Sequence, residues 1–123
     1  MKQYLSILTL VLLASCFQFK QTHEEENTHH ITTQLNQEFT FSLPARYSAG
    51  YRWVIDPQSF ATGMIKLISD TYEIERNALI GGKGTQTFIF KALKKGNTTI
   101  TLFYKRPWET TIENTHSVAV TIE

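Results

Sequence analysis

The chain has 123 residues, 41% of them hydrophobic, and carries 12 basic against 11 acidic side chains, a net charge of +1. This length suits one domain, and the supply of Phe, Tyr and Trp with few Gly and Pro excludes a largely disordered chain. The near-neutral balance excludes a non-specific nucleic-acid binder, which needs a basic stripe. The one cysteine, Cys16, excludes an internal disulfide, so a folded part must be held by its core.

Lys2 supplies a positive charge near the start and residues 4–13 are almost wholly apolar. That run is too short to span a bilayer as a helix but fits the core of a signal peptide. It ends in Leu13-Ala14-Ser15-Cys16, which resembles the bacterial lipobox, where small residues admit the peptidase and the thiol forms the thioether. Residues 1–15 are therefore expected to be removed. Cys16 is expected to be lipidated and to anchor the protein to the membrane by burying acyl methylenes. Phe17, rather than Asp, follows the cysteine, which favours the outer membrane or periplasmic face of a bacterial envelope. Residues 16–30 lack hydrophobic periodicity and read as lipidated Cys16 followed by a polar tether. His23, His29 and His30 with Glu24, Glu25 and Glu26 read as solvated linker, because a mobile segment does not preorganise metal ligands.

Residues 31–123 form the expected domain, and their apolar period is two. Phe39, Phe41 and Leu43 alternate with Thr40 and Ser42, and Tyr51, Trp53 and Ile55 with Arg52 and Val54. The pattern recurs at Phe88 and Phe90, at Ile100, Leu102 and Tyr104, and at Val118, Val120 and Ile122. Each run places one strand face on a core. Residues 65–76 have the weakest pattern, with β-branched residues and Tyr72 favouring strand and a short turn of helix over residues 64–68 as the alternative. Pro44, Gly50, Pro57, Gly63, Gly81-Gly82, Gly84, Gly96-Asn97 and Pro107 punctuate the runs. Several short strands at this spacing predict an all-β antiparallel sandwich. Trp53 shares parity with Tyr51 and Ile55 and is expected in the core.

No catalytic set is legible. The only thiol lies at the processing site, no Gly-x-Ser-x-Gly elbow or His-Glu-x-x-His motif occurs, and the carboxylates are scattered. Gly81-Gly82-Lys83-Gly84-Thr85 fails the phosphate-loop pattern, because no Ser or Thr directly follows Lys83. His116 is expected at the surface or rim rather than as a catalytic base. These observations point away from an enzyme, and no cofactor is expected.

Three segments resemble the chagasin family of cysteine peptidase inhibitors. Arg46-Tyr47-Ser48-Ala49-Gly50-Tyr51-Arg52-Trp53 matches the pattern Asn-Pro-Thr-Thr-Gly, aromatic, any residue, Trp at Gly50, Tyr51 and Trp53. Gly81-Gly82-Lys83-Gly84 matches a Gly-rich loop, with Lys83 in place of a Gly, and Arg106-Pro107-Trp108 matches in full. The resemblance spans residues 31–123. It implies an immunoglobulin-like sandwich with three loops at one end. These would enter the cleft of a papain-like cysteine peptidase and block it reversibly and without a covalent bond. The implied contact residues are Ser48, Ala49, Gly50, Tyr51, Gly81, Gly82, Lys83, Gly84, Arg106, Pro107 and Trp108, and the inhibitor is expected to act as a monomer. The departures matter. Replacing Asn-Pro-Thr-Thr removes rigidity and a hydroxyl, and Arg46 and Tyr47 are expected to add bulk facing the catalytic centre. Lys83 adds a charge suited to an acidic cleft rim. The alternative reading is an envelope binding lipoprotein that keeps the sandwich without inhibiting a peptidase.

Overall fold

A computed structural model describes residues 28–75 and 83–123. Within them the chain forms seven strands: β1 (Thr28–Thr33), β2 (Glu38–Ala45), β3 (Arg52–Ile55), β4 (Ile65–Ile74), β5 (Gly84–Ala92), β6 (Gly96–Lys105) and β7 (Asn114–Ile122). They make two sheets, ordered β1-β7-β6-β3 and β2-β5-β4. All neighbours are antiparallel except β1 and β7, which run parallel.

The period of two becomes a shared interior. Phe39, Phe41 and Leu43 of β2 meet Phe88 and Phe90 of β5, opposite Ile100 and Leu102 of β6 and Val118, Val120 and Ile122 of β7. Stacked rings at 5.4–5.8 Å link Phe41 to Phe88 and Phe90. Each fully buried side chain of this size contributes about 1.5–3 kcal/mol, so the core can stabilise the domain without a disulfide. Trp53 joins the core at 6% exposure, as its parity predicts.

Three local features depart from the sequence reading. β1 begins at Thr28, so Thr28, His29 and His30, read as tether, pair with Ser117, Val118 and Ala119. His116, expected at the rim, is buried, because it shares the inward parity of Val118 and Val120. It lies near Trp53 and His29, with ring centroids at 6.0 and 6.4 Å. Finally, β4 is the strand favoured over residues 65–76, but a bulge that the pattern did not indicate breaks it between Leu67 and Ser69. The extra residue shifts the side-chain parity, so Asp70, Tyr72 and Ile74 stand opposite Phe88, Gln86 and Gly84. The segment containing Cys16 and the loop glycines Gly81 and Gly82 lies outside the described residues.

Candidate functional site

Strand register gathers three connections at one end. Ala45 and Ile74 both pair with Gly84, while Arg52 pairs with Lys105 and Tyr104 with Asn114. The β2–β3, β4–β5 and β6–β7 connections therefore leave the same edge of the sandwich.

The first connection is a 3-10 turn, Tyr47–Ala49, closed by Gly50 at φ 86°. The Gly50 amide donates to the Tyr47 carbonyl at 2.8 Å, and the Ala49 and Tyr51 amides both donate to the Arg46 carbonyl. A left-handed φ is costly for any residue with a Cβ, which explains glycine here. Side chains from both sheets clamp the turn. The Trp53 indole donates to the Pro44 carbonyl at 2.8 Å, the Tyr72 hydroxyl donates to the Ala45 carbonyl at 3.3 Å, and the Arg46 amide donates to the Tyr104 hydroxyl at 3.0 Å.

Gln86 supplies a further clamp. It is fully buried on β5, yet its amide accepts from the Trp53 amide at 2.8 Å and donates to the Trp53 carbonyl at 3.0 Å. It thus takes the place of a neighbouring strand on the open edge of β3. Its Nε2 also donates to Asp70 Oδ1 at 2.9 Å.

Tyr47 does not project bulk from the tip as expected. Its ring folds back onto Tyr72, with centroids 3.7 Å apart and planes within 5°. The Arg52 guanidinium lies 5.1 Å from the same ring. Burial, and secondarily the Asp70 carboxylate, push the Tyr47 phenol above its ordinary pKa, so it stays neutral. The rigidity that the family pattern draws from proline comes here from an aromatic stack. Ser48 and Ala49 remain exposed at the tip, and Gly50 and Tyr51 are half-buried behind them.

The β6–β7 connection is latched to this turn. Arg106 Nε donates to the Ala49 carbonyl at 3.1 Å, and its guanidinium lies 4.6 Å from the Tyr51 ring centroid. Glu109 pairs with Arg106 at 3.5 Å. Trp108 is 71% exposed, yet its ring lies across Gly50: a Cβ on that glycine would fall 2.5 Å from Trp108 Cη2. Pro107 is exposed beside it. At the third connection, the Glu75 amide donates to the Lys83 carbonyl at 3.3 Å. Gly84 is no loop apex: it is the buried first residue of β5, where any Cβ would collide with the Tyr72 phenol.

The structure thus joins Ser48, Ala49, Gly50, Tyr51, Arg106, Pro107 and Trp108 into one surface, with Lys83 at the neighbouring stem. Sequence reasoning missed Tyr47, Tyr72, Tyr104 and Gln86 as its supports. Their partners are set across sheets, and no local spacing announces them.

The comparisons with known proteins agree with this geometry. The sequence model of the family described as Chagasin family peptidase inhibitor I42 matches residues 32–122. Amoebiasin-2 of Entamoeba histolytica is 34% identical over 88 residues, which cover 70% of this chain and 68% of that protein. The crystal structure of the cysteine protease inhibitor EhICP2 from Entamoeba histolytica superposes with a TM-score of 0.64 at 32% identity, covering 81% of this chain and 91% of the other. The solution structure of Amebosin shares the fold, with a TM-score of 0.57 at 23% identity. With its sandwich, its three-loop end and these matches, the chain belongs to the chagasin family of peptidase inhibitors.

Proposed function

We propose that this protein inhibits papain-like cysteine peptidases, reversibly and without a covalent bond, by seating its three-loop end in the active-site cleft. The observation that carries this reading is the latch of Arg106 and Trp108 onto the Gly50 turn, which makes two loops one exposed, rigid edge. Such preorganisation lowers the entropy lost on binding. Trp and Arg are the residue types that dominate binding energy at interfaces, and Trp108 presents a large apolar surface to solvent.

The same turn should resist cleavage. A peptidase reads an extended substrate, but here the Arg46 and Tyr47 carbonyls accept bonds inside the turn and the Ala49 carbonyl accepts from Arg106. Extending the segment would break these bonds. Ser48, Ala49, Gly50 and Tyr51 would cover the catalytic centre. Arg106, Pro107 and Trp108 would grip one side of the cleft, and the connection through Gly81, Gly82 and Lys83 the other.

We also propose that the inhibitor is a monomer anchored to the bacterial cell envelope through lipidated Cys16. A mature protein whose Cys16 has the mass of free cysteine would refute the anchor. Inhibition is tested by titrating papain with the purified chain. A stoichiometric loss of activity that reverses on dilution is expected, and full activity at micromolar inhibitor would refute the proposal for this peptidase class.

A further inference from the structure

Two positions at which this chain departs from the family pattern lie just beyond the paired Ala45 and Gly84 of β2 and β5, and they line one pocket. Arg46 stands where the pattern has Asn, and Lys83 where it has Gly. Both border a pocket of about 290 Å³ at the loop end, between the first turn and the stem of the Gly-rich connection. Its walls are Pro44, Trp53 and Tyr104, with Asn114 as a neutral polar neighbour, and among the described residues no carboxylate lines it.

Both side chains are exposed, and among the described residues neither has an ion-pair partner. The Arg46 backbone is fixed by the Tyr104 hydroxyl at 3.0 Å, and the Lys83 backbone by the Glu75 amide at 3.3 Å. The two cations are thus held at a pocket mouth while their heads stay available. Low-dielectric aromatic walls beneath a pair of like charges focus the field outward. An arginine fork can also hold a carboxylate through two parallel hydrogen bonds.

From this convergence, and resting on the inhibitor reading above, we infer that the Arg46–Lys83 pocket is a specificity site that takes an acidic side chain from the cleft rim of the target peptidase. The target class is then a papain-like peptidase with an Asp or Glu beside its active-site cleft. A neutral or basic rim is disfavoured, because two desolvated cations would face it unpaired.

The test compares the full chain with Arg46→Gln/Lys83→Gln against two papain-like peptidases, one with an acidic cleft rim and one with a neutral rim. Glutamine keeps most of each side-chain stem, and an unchanged melting temperature verifies the fold. The unaltered chain should associate faster with the acidic-rim peptidase. The double substitution should slow that association about tenfold or more at low salt, a larger loss than for the neutral-rim peptidase, which offers the two cations no carboxylate. Salt at about 0.5 M should erase most of the difference, since screening then acts within a few ångströms. Equal effects on both peptidases, or none on either, would overturn this inference while leaving the inhibitor reading intact. Failure of the unaltered chain to inhibit either peptidase would overturn both.

Discussion

Replacing Gly50 by alanine should separate binding from folding, because two consequences of one methyl group act on different quantities. The backbone at Gly50 has φ 86°, and alanine in the left-handed region costs about 1–2 kcal/mol of stability. The same methyl would lie 2.5 Å from Trp108 Cη2, so the indole must move. Because that ring is 71% exposed, it can swing into solvent at little cost to folding. The displacement is instead felt in the complex, where losing a placed Trp costs about 2 kcal/mol or more. That corresponds to a roughly 30-fold weaker inhibition constant. Gly63 supplies the control. Its φ is 66°, but a Cβ there would meet only the Lys94 ammonium at 3.6 Å, at the start of β4 and away from the loops. Gly63→Ala should therefore lose similar stability in chemical denaturation yet inhibit papain as the unaltered chain does. The reasoning is refuted if Gly50→Ala inhibits normally, or if Gly63→Ala weakens inhibition as much.

Other perturbations probe the supports of the turn. Gln86→Leu removes both bonds to Trp53 and leaves a backbone donor and acceptor unpaired, at about 1–3 kcal/mol each, which urea denaturation would measure. Gln86→Glu should be most damaging near neutral pH, where its carboxylate faces Asp70 Oδ1 and cannot donate to the Trp53 carbonyl; a stability independent of pH would contradict this. Tyr47→Ala should cost about 0.5–1.5 kcal/mol through the lost stack and loosen the turn. Tyr47→Pro should retain inhibition, because the first position of a helical turn accepts proline; equal losses in both variants, read as inhibition constants, would contradict the claim that the stack replaces it. Burial first, and His29 second, lower the pKa of His116 below 6.5, and its buried Nε2 has no hydrogen-bond partner among the described residues. The unfolded chain then binds the extra proton more readily, so stability is present above pH 6.5 and falls as pH drops towards the lowered folded value. Melting curves from pH 7 to 5 should shift more for the unaltered chain than for His116→Phe.

The strands were largely legible because burying one face of a pleated chain leaves a period of two. Phe39 and Phe41, Phe88 and Phe90, and Val118 and Val120 all sit inward as that period predicts. Trp53 was legible for the same reason. The loop residues were legible only through order and spacing shared with a family, since a glycine pair or an Arg-Pro-Trp triplet alone is an ordinary turn. His116 shows the limit of residue type as a guide: parity with Val118 places it inward even though histidine is usually found nearer solvent.

By itself, the sequence determined the all-β class, the position of most strands and the absence of a recognisable catalytic set, which follow from local patterning along the chain, and its resemblance to a family marked the segments of the three-loop end. Only the tertiary structure decided how that end is held. A bulge in β4 turns Tyr72 towards Tyr47, and Gln86 reaches from one sheet to the backbone of the other. Arg106 and Trp108 close over Gly50, and Arg46 meets Lys83 at one pocket. Each of these contacts joins residues distant in the chain, so it depends on strand register and on the packing of two sheets, which no periodicity along a single strand encodes.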